Sequence, residues 1–396
     1  MPKKFILRVG LPVLIAFVAV TIWQFLTIAE LRSELADFQN ARQAPAPPLP
    51  NVQRRAQTMA PAKPPAQSFA ADKTFALPID CTPGRDCWMP NYVDADPGKG
   101  ARDYTGGART YDGHKGVDFA IRDRRAMIRG VTVRAAADGV VLAIRDAMAD
   151  IDYKLLKPET LKGRECGNAV VIRHNADWRT QYCHMRLASV AVVKGQRIKA
   201  GRALGLVGHS GKTEFPHLHF MVFYKGQPVG PFTGVTIRDA AKVTGNMWRA
   251  DARAKLQYRA TNIYHAGFAA SVPKFQAARR GDYAAARLPA RIENLFVWMD
   301  IFGVHNGDQI TVQLIGPGEK PLATRRLNMK LKRPRARQFL HFGFKARRGS
   351  WPAGAYRGEI SLTRPASGGP IIFRASRRIT INERPIIPRT RSRALQ

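Results

Sequence analysis

Acidic residues are scarce in this chain, and the shortage is greatest toward its C-terminus. The 396 residues include 29 Asp or Glu against 64 Lys or Arg, which gives a formal net charge of +35. Residues 241–396 alone hold 30 Lys or Arg and 8 Asp or Glu. Because 45% of the residues are hydrophobic, the chain can build real cores. The composition therefore excludes a disordered protein, and the length predicts two or three domains.

Charged side chains are missing altogether from residues 9–28, and this absence predicts a membrane anchor. The run is uncharged and mostly apolar over the length of a transmembrane helix. No clear Ala-x-Ala cleavage pattern follows it, which disfavours a removable signal peptide. Since Lys3, Lys4 and Arg8 precede the run, the positive-inside rule predicts a cytoplasmic N-terminus and an exported remainder.

Residues 41–77 lack the composition of a packed core. They are rich in Ala, Pro and Gln, with seven prolines between Pro45 and Pro65, which favours an extended tether. At about 3.1 Å per residue, this tether could reach on the order of 100 Å. A short charged helix of two heptads precedes it and leaves dimerisation open, with apolar positions at Ile28, Leu31, Leu35 and Phe38.

Cysteine is rare, and the four cysteines include no Cys-x2-Cys pair. This spacing argues against a zinc site built from cysteines, which is the competing interpretation. In an exported chain, disulfides persist. Cys166 and Cys183 lie at the ends of a predicted hairpin, and Cys81 and Cys87 would close a small Pro-Gly loop. We expect these two pairings among the three that four cysteines allow.

Histidines are few, but three short stretches place them in patterns that suit a shared site. In FPHLHFM, a strand would direct His217 and His219 to the same face. In GHKGVDFA, His114 and Asp118 are four residues apart and share a face in a helix or a strand. In QYCHMRL, His184 lies near the end of an apparent strand. Each stretch alone also fits an ordinary hydrogen-bonded histidine.

Taken together and in this order, the stretches resemble the lysostaphin-type (LytM-type) zinc metallopeptidases over roughly residues 80–235. The matching features are His-x3-Asp, a lone His after the strand GNAVVI, the turns KGQRIKAG and GHSG, and PHLHF. Glycines at turn positions between these features independently predict an antiparallel β domain.

The resemblance implies a role for five residues. His114, Asp118 and His219 would bind one zinc ion per chain, leaving a fourth position for water. His184 and His217 would be catalytic, since imidazole exchanges protons near neutral pH. Which of the two acts as base and which stabilises charge is open.

The resemblance also implies a function in the bacterial cell wall. We expect a zinc endopeptidase that hydrolyses peptide bonds of peptidoglycan, anchored in the cytoplasmic (inner) membrane with its catalytic domain in the periplasm or outside the cell. One alternative is a non-catalytic LytM-fold activator of cell-wall amidases, although the intact set of five residues argues against it. Another is an export-linked protease acting on proteins. Met221, where an acidic residue is common, and an apparent insertion at 147–165 put substrate preference in doubt.

Alternating apolar residues predict β-strands in the C-terminal third of the chain. In QITVQLI, Ile310, Val312 and Leu314 share one face, and QFLHFGF and YRGEISL alternate in the same way. An immunoglobulin-like β-sandwich fits this pattern best. Its basic surface is either ordinary solvated charge or a contact for an anionic envelope polymer or lipid head group. No nucleic-acid recognition motif is present, and the predicted export argues against such a partner.

We therefore expect a mainly β protein with four segments: 1–30 cytoplasmic N-terminus and transmembrane anchor, 31–77 short helix and linker, 78–240 LytM-type zinc peptidase domain, and 241–396 basic β-sandwich-like domain.

Overall fold

The computed structural model describes residues 74–237, 245–346 and 349–383, which are mainly β. Within these ranges, no helix has both the length and the apolarity that a membrane span requires. The predicted anchor at 9–28, the heptad helix and most of the linker lie outside the described residues.

An antiparallel sheet organises the first part of the chain. The described strands of this part of the chain are β1 (Cys87–Trp88), β2 (Val117–Ile121), β3 (Thr132–Arg134), β4 (Gly139–Arg145), β5 (Asn168–Arg173), β6 (Trp178–Met185), β7 (Arg197–Ile198), β8 (Ala203–Leu206), β9 (His217–Tyr224), β10 (Gln227–Gly230) and β11 (Val235–Thr236). The main path runs β1-β2-β9-β6-β5-β4-β7, while β10 pairs with β9 and with β11. Strands β3 and β8 form a separate pair. The predicted antiparallel β arrangement is confirmed.

Strand β9 forms because its apolar residues alternate. Leu218, Phe220 and Val222 are fully buried in the core of the domain, so the alternate residues His217 and His219 leave the opposite face. The antiparallel register of β2 with β9 places Asp118 opposite His219 and Ala120 opposite His217. The strand predicted for FPHLHFM, with both imidazoles on one face, is confirmed.

Two disulfides close the predicted loops. Cys166 is bonded to Cys183 with a Cα–Cα distance of 4.9 Å, and Cys81 is bonded to Cys87 with a Cα–Cα distance of 6.0 Å. Strands β5 and β6 form the predicted hairpin, and the Cys166–Cys183 disulfide closes its open end. Both pairings are confirmed, and they leave no thiolate among the four cysteines for a zinc site.

Short helices connect the strands at the surface. They are α1 (Arg124–Arg129), α2 (Pro158–Leu161), α3 (Ala250–Lys255) and α4 (Phe275–Arg280), with 3-10 turns at Tyr153–Leu155 and Pro317–Glu319. Helix α1 is capped by the preceding Asp123, whose carboxylate accepts a hydrogen bond from the Ala126 backbone N–H at 2.8 Å and so satisfies an otherwise unpaired donor. Helix α4 ends at Gly281 in the left-handed region, with φ of 86°, which glycine adopts without steric cost.

The core of the first part of the chain extends past the limits predicted for the LytM-type domain. Phe75, before the predicted start at 78, is fully buried in it, and so are Met247 and Trp248, beyond the predicted end at 240. The backbone N–H of Phe75 donates to the Met247 carbonyl at 2.7 Å. Two segments that flank the predicted domain therefore complete its core. The domain boundaries themselves stay predictions.

Two further sheets build the C-terminal part. Their described strands are β12 (Asn262–Ala269), β13 (Arg287–Pro289), β14 (Asn294–Val304), β15 (Gln309–Ile315), β16 (Pro321–Asn328), β17 (Arg335–Lys345), β18 (Gly354–Arg364) and β19 (Ile371–Asn382). One sheet has the order β12-β14-β17 and the other β13-β19-β18-β15-β16. Ile310, Val312 and Leu314 are fully buried in a core shared by both sheets, so the predicted face of QITVQLI is confirmed.

The two parts of the chain pack against each other. Trp88, which pairs with Ala120 on the site side of β2, forms a buried aromatic cluster with Tyr264 and Phe302 of the C-terminal part. The buried guanidinium of Arg109 donates to the Arg259 carbonyl at 2.9 Å. Because paired residues on neighbouring strands point to the same face, the C-terminal part stands beside the sheet face that carries the two histidines.

The Cys166–Cys183 disulfide, which closes the longer loop, should contribute more to stability than the Cys81–Cys87 disulfide. Replacing both Cys166 and Cys183 with Ser should lower the free energy of unfolding by about 3 kcal/mol, because the unfolded chain loses a cross-link between residues 17 apart. The matched variant at Cys81 and Cys87, which are 6 apart, should lose about 2 kcal/mol. Urea denaturation under oxidising conditions measures both values. A larger loss from the short loop would contradict the loop-entropy account.

Candidate active site

Three predicted metal ligands converge from two neighbouring strands and the loop before them. His114 lies in that loop, Asp118 on β2 and His219 on β9. Asp118 Oδ1 is 2.7 Å from His219 Nδ1 and 3.2 Å from His114 Nε2, and the two histidine nitrogens are 3.1 Å apart. All three donor atoms lie within 4.8 Å of one another, and His114 and Asp118 are buried. The sequence-predicted set is thus brought together.

The chemistry of these donors fits a cation. His114 Nδ1 lies 2.7 Å from the Tyr92 carbonyl, which can only accept, so this nitrogen carries a proton, and in the uncharged form of the ring Nε2 presents a lone pair. That lone pair then faces the Asp118 carboxylate and His219 Nδ1. Electron-rich atoms this close repel one another unless a positive charge lies between them.

The protonation equilibria of the site also show that it favours positive charge. Although burial acts in the opposite direction, His114 and His217 lower the pKa of Asp118 well below its usual range, so the carboxylate is ionised. Burial likewise opposes protonation of His114, yet the Asp118 carboxylate raises the pKa of that imidazole. Two imidazole nitrogens and one carboxylate oxygen are a donor set that zinc accepts with one position left open.

Two further residues shape this centre, and neither was singled out from the sequence. Asn91 donates from Nδ2 to Asp118 Oδ2 at 2.8 Å, which fixes the plane of the carboxylate and leaves Oδ1 for the site. Gly116 leaves space for the imidazole of His219, since a Cβ atom there would lie 2.7 Å from the ring. The glycine is part of the GHKGVD stretch, but nothing in the sequence around Asn91 marks its role.

The two predicted catalytic histidines lie beside the metal ligands. The ring centroids of His184 and His217 are 4.7 Å apart, and His184 is 5.9 Å from His219. His217 Nε2 lies 3.4 Å from Asp118 Oδ1. His184 Nδ1 faces the Ser210 carbonyl at 2.7 Å, and His217 Nδ1 faces the Phe215 carbonyl at 2.9 Å. In the uncharged form of each ring, the proton is therefore on Nδ1 and Nε2 can accept.

His184 has an unusual backbone. Its φ is 59°, in the left-handed region that a non-glycine residue rarely adopts, and its flanking Cys183 is held by the disulfide to Cys166. The His184 N–H donates to the Cys166 carbonyl at 2.8 Å. Burial, and then the neighbouring His217 and His219, lower the pKa of His184 well below its usual value, so the ring is uncharged at neutral pH.

The segment 209–216 supports His217 from behind. Thr213 Oγ1 lies 3.0 Å from His217 Nδ1, and the Thr213 carbonyl is 3.2 Å from Nε2 of the buried His209. Asp150 accepts a hydrogen bond from the His209 backbone N–H at 2.6 Å. Asp150 belongs to the stretch 147–165 that reads as an insertion, so this stretch braces the site.

The C-terminal part touches the same segment. Arg279 at the end of α4 is largely buried and donates from Nη1 to the Glu214 carbonyl at 2.8 Å. The guanidinium carbons of Arg279 and Arg337 lie 5.8 and 5.4 Å from the ring centroid of Phe215. The Phe215 ring is itself 4.8 Å from that of His217. No local sequence signal links residues so far apart in the chain, and only the tertiary structure identifies them.

Comparisons with known proteins find similarity over the region that contains these residues. Residues 112–231 match the model of Peptidase family M23. The DD-carboxypeptidase/endopeptidase Mpg of Neisseria meningitidis serogroup B is 33% identical over 147 residues, which cover 35% of this chain and 28% of that protein. The peptidoglycan DD-endopeptidase ShyA of Vibrio cholerae is 34% identical over 116 residues, covering 29% of this chain and 21% of ShyA. The similarity therefore spans less than a third of either relative.

Among solved structures, the catalytic domain of lysostaphin from Staphylococcus simulans is similar at 24% identity, with a TM-score of 0.23 and coverage of 36% of this chain and 85% of that chain. The catalytic domain of EnpA from Enterococcus faecalis has a TM-score of 0.26 at 22% identity, over 36% of this chain and 87% of that chain. Scores this low carry no argument about the site.

Removing the shared carboxylate should abolish metal binding. Asp118→Ala deletes the oxygen that both imidazoles face, so we expect the purified variant to lose its bound divalent metal. Elemental analysis after dialysis against a metal-buffered solution measures the zinc content. Asp112→Ala, an exposed aspartate two residues before His114, is the matched control and should keep its zinc. Full zinc occupancy in Asp118→Ala would contradict the ligand assignment.

Asn91 should tune the same centre without being a ligand. Asn91→Ala removes the hydrogen bond that orients Asp118, and we expect zinc affinity to fall roughly 10–100-fold. Competition with a zinc-selective chelator measures the dissociation constant. Asn382→Ala on β19, away from the site, should leave it unchanged. An unaltered affinity in Asn91→Ala would show that the carboxylate needs no such support.

Proposed function

We propose that this chain is a zinc-dependent endopeptidase that hydrolyses peptide bonds of bacterial peptidoglycan, because residues 112–231 match the model of Peptidase family M23. The observation that carries the proposal is the convergence of His114, Asp118 and His219 beside two further histidines that offer unprotonated nitrogens. Similarity to a peptidoglycan DD-endopeptidase supports the choice of substrate.

His114 Nε2, Asp118 Oδ1 and His219 Nδ1 would hold the zinc ion. When bound, zinc supplies a Lewis acid that activates a water molecule and polarises the scissile carbonyl. Asn91 keeps the Asp118 carboxylate in place, and the Tyr92 carbonyl keeps the His114 ring in the tautomer that leaves Nε2 free.

His184 and His217 would handle protons. Each ring donates its Nδ1–H to a backbone carbonyl and thereby keeps Nε2 able to accept a proton from water and to return it to the leaving amine. A ring that has become protonated at Nε2 can also donate a hydrogen bond to the developing oxyanion. The division of these two tasks between the histidines stays open.

The remainder of the chain would deliver this site to an immobile polymer. We propose that residues 9–28 anchor the chain in the cytoplasmic membrane and that the Pro-rich segment 41–77 spans the distance to the wall. The basic residues of 241–396 would attract an anionic envelope polymer. The charge of the sequence supports this contact, since Lys and Arg outnumber Asp and Glu there 30 to 8.

We also propose that the C-terminal domain is immunoglobulin-like. Strand pairing supports this: β12-β14-β17 forms one sheet, β16-β15-β18-β19 the other, and β13 runs parallel to β19. The chain changes sheet between most successive strands, while β15–β16 and β18–β19 are neighbours within one sheet, a mixture that is typical of Greek-key sandwiches.

Purified sacculi test the activity. Full-length protein incubated with sacculi should release peptide-cleaved muropeptides, identified by mass spectrometry, and a zinc chelator should stop the release. His184→Ala should keep its zinc and lose about 10²–10⁴-fold in turnover, as expected for a missing proton-transfer group. His341→Ala, an exposed histidine on β17, is the matched control.

The contrary outcomes separate the alternatives. If a folded, zinc-loaded sample releases nothing but stimulates a cell-wall amidase, the chain is a regulator and the proposal is wrong. If His184→Ala keeps full turnover, the role assigned to that ring is wrong even though the enzyme remains.

A further inference from the structure

A cavity of about 210 Å³ lies between helix α1 and the C-terminal part of the chain. Arg122, Arg125 and Arg129 line it from the first part, and Arg377 of β19 and His265 of β12 line it from the second. None of these residues belongs to the candidate active site. One water molecule needs roughly 10–15 Å³ of such space, so the cavity has room for a tetrahedral oxyanion with a substituent attached.

Local structure brings three of these arginines to one side of the cavity. Arg125 and Arg129 are four residues apart on α1, a spacing that places two side chains on the same face of a helix. Arg122 lies two residues before the start of this helix. The tertiary structure adds Arg377, which donates from Nε to the Ala266 carbonyl of β12 at 2.9 Å. Four arginine side chains therefore line one space from both parts of the chain.

The lining has an excess of positive charge. Among the described residues, none of the four arginines has an ion-pair partner within 4.0 Å, and the hydrogen bonds of Arg125 and Arg377 go to neutral backbone carbonyls. Asp123 is the one acidic residue in the described lining, and its carboxylate already caps α1. Asp282, just beyond the lining, accepts two hydrogen bonds from Arg280. Four guanidinium charges against one carboxylate leave a net charge of +3.

The protonation equilibria beside the cavity reflect the same excess. Burial, followed by the charges of Arg122 and Arg377, lowers the pKa of His265 to about 3, so this imidazole is uncharged near pH 7. Burial and then the Arg122 charge also lower the pKa of Arg377. Like charges held this close destabilise one another, and a multivalent anion in the cavity would relieve their repulsion.

We propose that this cavity is a phosphate site, which takes inorganic phosphate or the phosphate group of a monoester. Guanidinium groups donate paired hydrogen bonds to phosphate oxygens. A phosphate monoester carries a charge of about −1.5 to −2 near pH 7, which matches the charge of the lining better than a single carboxylate does. Because α1 and β19 belong to different parts of the chain, the bound anion also joins these two parts. The site is independent of the proposed peptidase activity.

Calorimetry with inorganic phosphate tests the site in the full-length protein. At neutral pH in a chloride buffer, wild-type protein should bind one phosphate per chain. The variant Arg122→Gln/Arg129→Gln should bind it at least tenfold more weakly, which is roughly the scale of one charge-assisted hydrogen bond. Both arginines are exposed and neither donates a hydrogen bond to any of the described residues, so the change removes charge and no structural contact.

A matched variant controls for the loss of charge from a basic surface. Arg374→Gln/Arg378→Gln removes the same charge from exposed positions of β19, outside the cavity lining, and should bind phosphate as the wild type does. The inference is refuted if wild-type protein binds no phosphate, if the cavity variant binds it as tightly as the wild type, or if both variants are weakened equally.

Two further ligands define the chemistry. Glycerol 3-phosphate with an affinity like that of inorganic phosphate identifies a site for monoesters, and an affinity at least tenfold lower identifies a site for the free ion. Either result supports a phosphate site. If acetate at the same concentration displaces phosphate, the cavity accepts any oxyanion and the proposal is wrong.

Thermal unfolding tests whether the anion joins the two parts. Phosphate should raise the unfolding temperature of the wild type relative to chloride of equal ionic strength and should leave that of the cavity variant unchanged. Without phosphate, the cavity variant should unfold at the wild-type temperature or above it, because it lacks two uncompensated like charges. A lower unfolding temperature there would show that these arginines stabilise the fold by themselves and would overturn the inference.

Discussion

Three hydrogen bonds from imidazole to backbone determine what the candidate active site can do. His114, His184 and His217 each donate Nδ1–H to a carbonyl, those of Tyr92, Ser210 and Phe215. A carbonyl cannot donate, so each bond fixes the tautomer as well as the ring orientation. Since the backbone supplies the acceptors, the fold itself sets the positions of the three Nε2 atoms, and the electrostatic character of the site follows from the conformation of the two loops that carry these carbonyls.

The carboxylate of Asp118 supplies the negative charge beside these rings. It is buried, it is kept ionised by the histidines around it, and Asn91 restrains its second oxygen. A buried carboxylate without a compensating charge would be costly. The same burial that would destabilise an isolated aspartate therefore favours a cation at its free oxygen, which links the folding energetics of the domain to the metal ion that the site is proposed to hold.

Sequence patterns were sufficient to predict features that depend on residues close together in the chain. Alternation in FPHLHFM predicts the strand and the common face of its two histidines, and cysteine spacing predicts both disulfides. The contributions of Asn91, Thr213 and Arg279 could not be predicted, because each depends on a partner brought near only by tertiary packing. The likeness to a known family located the principal residues but carried no information about the chain beyond residue 235, where the contacts of Arg279 originate.

The segment 209–216, which supports His217, is held by contacts from both parts of the chain. Asp150 holds it from the first domain, and Arg279 holds Glu214 and Phe215 from the second. The part of the chain that carries the candidate site and the C-terminal part are consequently not interchangeable modules. If a gene fusion joined either part to an unrelated domain, the segment behind His217 would lose contacts that hold its imidazole in place. The two parts should therefore stay together during evolution and diverge as a pair.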